Sequence, residues 1–257
     1  MDGGGRVDRR RFVELGMLTA VGVSLGCFSS STGPDRSVGD GRLQTRWRPP
    51  TGSLDAGEHA LGLAEGRDGY IRAPVGYDPD VPTPLALLLH GAGSNAREWV
   101  GGFSLFDALG LVVLSVDSRR ESWDLRYGPF GPDVRFIDEA LAHAFDRCNV
   151  DPARVGIAGF SDGASYALSV GLINGDLFTH VLGFSPGFLE TPERHGKPPV
   201  FLSHGTGDRI LPVGFTRNLA SDLRDDGHAV TYEEFVGGHT LPVTIGETGF
   251  GWLVGEG

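Results

Sequence analysis

Cysteine is nearly absent. The chain of 257 residues holds two, Cys27 and Cys148. No disulfide framework can hold such a chain together, and no Cys/His or His/Asp cluster with metal-ligand spacing occurs. Positive charge is scarce as well: 22 Lys and Arg stand against 33 Asp and Glu, a formal charge of −11. Phosphate backbones are bound by clustered cations, so nucleic acid is excluded as a partner, and the acidity reads as solubility. No internal repeat is visible. No apolar run reaches the roughly 20 residues that cross a bilayer. The glycine-rich stretch Gly91-Ala92-Gly93-Ser94 is not followed by Gly-Lys-Ser/Thr, so it is not a nucleotide loop. No metal and no cofactor are expected. What is there is a chain 40% apolar, with 41 glycines for tight turns. That is enough to build one α/β domain with a sizeable core.

The first residues differ in kind from the rest. Arg9-Arg10-Arg11-Phe12 precedes an apolar run from Leu15 to Leu25, and Gly26-Cys27 follows. A basic start, a short apolar stretch and small residues predict an export signal over 1–27. Arg9-Arg10 with Phe12 two places on resembles a twin-arginine signal, although Glu14 stands where lysine is common. Cys27, followed by Ser29-Ser30-Ser31-Thr32-Gly33, resembles a bacterial lipoprotein site. Lipidation there would tether the protein to a membrane, with residues 28–56 as a flexible linker rich in Ser, Gly, Pro and Arg. The departure is Ser24, where that motif prefers leucine. An exported protein of the cell envelope or beyond is expected, with the folded domain at 57–257. Cys148 is read as a buried apolar thiol.

From residue 57 the pattern turns regular. Residues 70–74 alternate like an early antiparallel strand. Continuous apolar runs at 85–90, 111–117, 155–160, 181–185, 200–204 and 230–235 read as parallel strands buried on both faces. Between them, Val134, Ile137, Leu141 and Phe145 recur at helical spacing behind the cap signals Pro132-Asp133. Residues 164–173 and 215–223 read as further helices. Alternating strands and helices predict an α/β fold with a mostly parallel, doubly wound sheet and helices on both faces. No insertion is long enough for a large lid.

The stretch Gly159-Phe160-Ser161-Asp162-Gly163 sits where one of these strands runs into a helix. Glycines two before and two after the serine permit a sharp turn that lifts its hydroxyl beyond the carboxyl end of the sheet. A serine hydroxyl needs a base to be a nucleophile. The chain supplies an acid and a histidine downstream, each just past a strand: Asp208 in Gly205-Thr206-Gly207-Asp208 and His239 in Gly237-Gly238-His239. Asp208 is placed to orient His239, and His239 to act as general base and acid. An oxyanion hole is expected from the backbone N–H of Asp162 and one from His90-Gly91-Ala92-Gly93, with Ala92 ahead of Gly93.

These motifs make the chain resemble an α/β-hydrolase over roughly residues 65–245. The resemblance is to the esterase group that includes phospholipase/carboxylesterase proteins, polyhydroxybutyrate-depolymerase-like esterases and feruloyl esterases. It implies Ser161 as nucleophile, Asp208 as acid and His239 as base. Asp162 departs from the glutamine that many carboxylesterases carry at that place. His90 and His204 read as structural histidines. The loops at 119–132 and 184–198 leave strand ends, so Trp123, Tyr127 and Phe188 are the expected substrate contacts. The reading is a serine hydrolase that cleaves carboxylic esters, small or polymeric, through an acyl-enzyme. A thioesterase, acyltransferase or peptidase with the same three residues, or a non-catalytic binding protein on a hydrolase fold, are the alternatives.

Overall fold

The computed structural model describes residues 39–255. The expected export signal and Cys27 lie outside the described residues. Eight strands form one sheet: β1 (Gly57–Ala60), β2 (Gly69–Ala73), β3 (Thr83–Leu89), β4 (Val112–Val116), β5 (Val150–Phe160), β6 (His180–Phe184), β7 (Val200–Gly205) and β8 (Val230–Phe235). Their spatial order is β1-β2-β4-β3-β5-β6-β7-β8. β1 and β2 pair antiparallel and join β4 antiparallel, and the other pairings are parallel.

The helices are α1 (Phe103–Ala108), α2 (Pro132–Arg147), α3 (Asp162–Ile173), α4 (Val213–Asp225) and α5 (Val243–Val254). The central strands β3 and β4 are buried almost throughout because both faces are covered. Leu87, Leu114 and Ile157 contribute to one apolar layer, with Ile137 of α2 and Tyr166 of α3. Leu88, Val113 and Ala158 point to the other, with Phe106 of α1 and Phe250 of α5. This is the α/β-hydrolase arrangement of a mostly parallel sheet between helices.

Strand β8 departs from the expectation of a run buried on both faces. It closes one edge of the sheet, and none of its residues is fully buried. Charge covers that edge: Arg217 of α4 donates to both carboxylate oxygens of Glu234 at 2.6 and 2.7 Å. Charged side chains along an exposed edge oppose pairing with another chain.

The expected linker is corrected over its described part. Residues 39–56 lie on the domain rather than off it. Leu43 and Leu54 are buried. Asn174, wholly buried past the end of α3, accepts the Leu43 N–H on its Oδ1 and donates from Nδ2 to the Gly41 carbonyl, both at 2.9 Å. Asp176 takes Arg42 in a fork at 2.8 and 2.9 Å and Arg46 at 3.0 Å. The polar composition suggested a solvated segment, but a few anchored residues fix its path.

Candidate active site

Each candidate side chain stands just beyond the carboxyl end of a strand. Ser161 ends β5 and caps α3, with φ 57° and ψ −122°. This left-handed backbone is costly for a residue with a Cβ. The flanking glycines make it attainable. A Cβ on Gly159 would overlap the Gly163 carbonyl, and one on Gly163 would overlap the carbonyls of Leu89 and His90. Neither position accepts a side chain without moving backbone. Ser161 N–H donates to the Phe184 carbonyl at 2.9 Å, which ties the turn to the neighbouring strand.

The loops that carry the acid and the histidine are laced to each other. Thr206 N–H donates to the Phe235 carbonyl at 2.9 Å, and Gly207 N–H to the Gly237 carbonyl at 2.8 Å. A Cβ on Gly205 would overlap the Gly238 carbonyl, so glycine permits that approach. Asp208 and His239 thereby meet: His239 Nδ1 lies 2.6 Å from Asp208 Oδ2. The other nitrogen, Nε2, lies 2.8 Å from Ser161 Oγ. An ionised carboxylate only accepts, so Nδ1 carries the proton and Nε2 is free to accept from the serine hydroxyl. Structure therefore joins Ser161, His239 and Asp208 in one hydrogen-bonded chain.

The Asp208 side chain is fully buried, and burial alone would raise its pKa. It is nevertheless held below the ordinary carboxylate value. The N–H groups of Leu211 and Ile210, at 2.9 and 2.8 Å, and the His239 imidazole all donate to it. The acid is charged and fixed in place.

The first glycine-rich loop has a selective pattern of hydrogen bonds. Gly91 N–H donates to Glu98 Oε2 at 2.7 Å, and Gly93 N–H to the Glu121 carbonyl at 2.7 Å. Among the described residues the N–H of Ala92, between them, has no such partner. Gly93 is thus already engaged, which leaves Ala92 as the loop donor available to a substrate. The second expected donor, Asp162 N–H, sits in the first turn of α3. The Asp162 carboxylate turns away from the serine and accepts from Ser122 Oγ at 2.8 Å and Arg126 Nη1 at 2.7 Å.

His90 and His204 are both wholly buried. Ser118 N–H donates into His90 Nε2 at 3.0 Å, so Nδ1 holds the proton and donates to the Gly91 carbonyl at 2.7 Å. Burial and the nearby Arg67 lower the His90 pKa and keep the ring neutral. His204 lies between Thr216 Oγ1 and the Leu211 carbonyl, at 2.7 and 2.9 Å.

The expected substrate contacts lie apart from the cavity that opens at the histidine. A cavity of about 650 Å³ opens beside His239 and Phe160, and its walls include Glu98, Trp99, Leu105 and Phe250. Trp123, Tyr127 and Phe188 do not line it. Trp123 is buried, stacks on Tyr166 at 5.1 Å, and donates from Nε1 to the His90 carbonyl at 2.8 Å. Its partners lie beneath the loop that carries Ala92, so it supports that loop instead of touching solvent. Tyr127 is half exposed beneath the Arg120 guanidinium. The backbone of Phe188 is held by Ser165 Oγ, on α3. The wall residues that sequence reasoning missed come from three separated segments. The sequence signals pointing to them are Phe160, inside the serine motif, and His239, which opens the segment 239–250.

The fold is that of the α/β-hydrolases, and the proteins this chain is similar to include esterases of that fold. A family model for phospholipase/carboxylesterase proteins matches residues 134–245. Feruloyl esterase C of Emericella nidulans is 26% identical over 182 residues, which cover 67% of this chain and 66% of that protein. A putative esterase, NocK, of Nocardia uniformis subsp. tsuyamanensis is 32% identical over 143 residues, covering 50% of this chain and 41% of that one. The chain thus spans under two thirds of the length of either. A ferulic acid esterase of Anaeromyces mucronatus, solved with ferulic acid, shares the fold with a TM-score of 0.60. It is 18% identical and covers 89% of this chain and 97% of its own.

Proposed function

We propose that this protein is an exported serine hydrolase that cleaves carboxylic esters through an acyl-enzyme. The observation that carries the reading is the relay Asp208–His239–Ser161, with contacts of 2.6 and 2.8 Å beyond the ends of parallel strands. In the proposed first step, His239 Nε2 takes the Ser161 proton while Oγ attacks the ester carbonyl carbon. The carbonyl electrons move onto oxygen, and in this reading the N–H groups of Ala92 and Asp162 donate hydrogen bonds to that oxyanion. The positive end of α3 favours the same charge. Collapse of this intermediate breaks the bond to the alcohol oxygen, which leaves with the proton from His239. Water then repeats the sequence: His239 takes its proton, hydroxide adds to the acyl carbon, and Ser161 is released with the acid. Asp208 stays ionised and steadies the imidazolium in both halves.

The esterase names among its relatives support a carboxylic ester as the substrate. The apolar walls of the cavity support an apolar acyl or alcohol group. Labelling with a fluorophosphonate, together with hydrolysis of 4-nitrophenyl esters of rising chain length, tests the reading. Labelled wild type and unlabelled, folded Ser161→Ala are expected. A folded Ser161→Ala protein with full activity overturns it.

Export rests on the sequence alone, on Arg9-Arg10, the apolar run and Cys27. Among the described residues no helix is long and apolar enough to cross a membrane. Replacing Arg9 and Arg10 by lysine is expected to hold the protein in the cytoplasm, and Cys27→Ser to release it from membranes. Native protein that keeps Met1 counts against a cleaved signal.

A further inference from the structure

The cavity beside His239 is apolar on most of its walls but not neutral. Trp99, Leu105, Phe106, Leu241 and Phe250 line it, together with the acidic residues Glu98 and Glu247. His239 is the other ionisable residue on its walls, and none of the described lining residues is Lys or Arg. Glu98 stands closest to the reacting centre. A Cβ placed on Gly91 would lie 3.5 Å from Ser161 Cβ and 3.6 Å from Glu98 Oε1, so one glycine separates the carboxylate from the nucleophile. Glu98 is exposed as a residue, yet its carboxylate turns inward to the Gly91 N–H at 2.7 Å. That carboxylate cannot swing away from an incoming group without releasing the loop that carries Ala92.

We propose that Glu98 makes this cavity a charge filter, so that the protein hydrolyses esters whose cavity-bound part is neutral or cationic and discriminates against those bearing a carboxylate there. The inference rests on the esterase reading of the site. An anionic group entering the cavity meets two like charges and no cation, and it leaves bulk water to do so. A cationic group meets the same carboxylates with aromatic walls, both of which attract it.

Two matched sets of esters test this at pH 8. The first is the 4-nitrophenyl esters of 3-arylpropanoic acids that differ only in a para methyl, carboxylate or aminomethyl group. The second carries the same substituents on the alcohol, as acetate esters of para-substituted benzyl alcohols. In at least one set the carboxylate ester is expected to have a kcat/KM lower than the methyl ester by on the order of tenfold at low salt. The aminomethyl ester should be at least as good as the methyl ester. The gap should narrow at 1 M salt, where charges are screened within about 3 Å. Glu98→Gln keeps an oxygen for the Gly91 N–H and removes the charge, so it should close most of the carboxylate-to-methyl ratio. Glu247→Gln, at an exposed position, gives a second ratio that does not depend on the loop. Equal kcat/KM for carboxylate and methyl esters in both sets overturns the filter and leaves the esterase reading standing. Hydrolysis of no ester in either set overturns both.

Discussion

The Glu98 carboxylate holds the Gly91 backbone N–H at 2.7 Å, one residue before the N–H of Ala92. A side chain seven residues on therefore holds the loop that carries Ala92. Glu98→Ala removes that hold. Its kcat is expected to fall about tenfold to a hundredfold with a smaller change in KM, since a misplaced donor is missed most in the transition state. Glu98→Gln should recover most of the loss on a neutral ester. Steady-state kinetics of both variants decide it, and an unimpaired Glu98→Ala would remove the loop from the mechanism.

Asp208→Asn should fold normally and lose on the order of 10³–10⁴ in kcat. The amide oxygen can keep both contacts from Leu211 and Ile210, which fall on Oδ1, but an NH₂ in place of Oδ2 no longer accepts from His239 Nδ1 and so no longer fixes the proton there. Single-turnover hydrolysis, read beside a thermal melt, separates a lost acid from a lost fold.

Ser161 is held at φ 57°, so its contribution to stability and its contribution to activity should oppose each other. Ser161→Gly is expected to abolish turnover and to be more stable than Ser161→Ala by about 1 kcal/mol, because glycine adopts that backbone freely. Chemical denaturation of the two inactive variants measures the strain directly. Equal stabilities would mean that the turn is not strained.

Asn174 is buried and bonds both Leu43 N–H and the Gly41 carbonyl. Asn174→Ala leaves those backbone groups without partners and is expected to cost about 1–3 kcal/mol. Residues 41–54 should become sensitive to proteolysis while ester hydrolysis is kept. Limited digestion followed by mass spectrometry reads the site of cleavage.

The Arg42 guanidinium beside Asp176 draws that carboxyl down to about 2, from 3.8. A depressed carboxylate stabilises the fold above its unfolded pKa and loses that effect as pH falls through the folded one. The stability difference between wild type and Asp176→Asn should therefore be constant above about pH 5. It should shrink between about pH 4 and pH 2. The pair is partly exposed, so the difference is expected to be small. Urea unfolding at pH 6, 4 and 3 tests the trend.

Much of the sheet was legible because its strands are aliphatic runs ending in glycine turns. The serine motif was legible because two glycines have no other use at that junction. Helix α5 was not, since Gly246, Gly249 and Gly251 give it a poor local propensity. Packing explains one of them: a Cβ on Gly249 would press to 3.1 Å on Phe184. The cavity was illegible for a related reason. Its walls combine 98–108, Phe160 and 239–250, which only the finished sheet assembles. Trp123 was misread because a tryptophan in a loop at a strand end can face either way. Here its N–H found a buried carbonyl, which decided the direction.

The anchoring of residues 41–46 also has a mechanical meaning. These residues grip Ile173, Asn174 and Asp176, at the finish of the helix that begins beside Ser161. Twelve helical residues put about 18 Å between the two ends. The segment 41–46 is therefore moored at the end of α3 remote from the serine. A pull transmitted along it would load the Arg42–Asp176 fork and the Asn174 amide first. The turn that holds the hydroxyl in its costly backbone would be shielded, because the helix stands between the mooring and the reaction like a post set behind a gate.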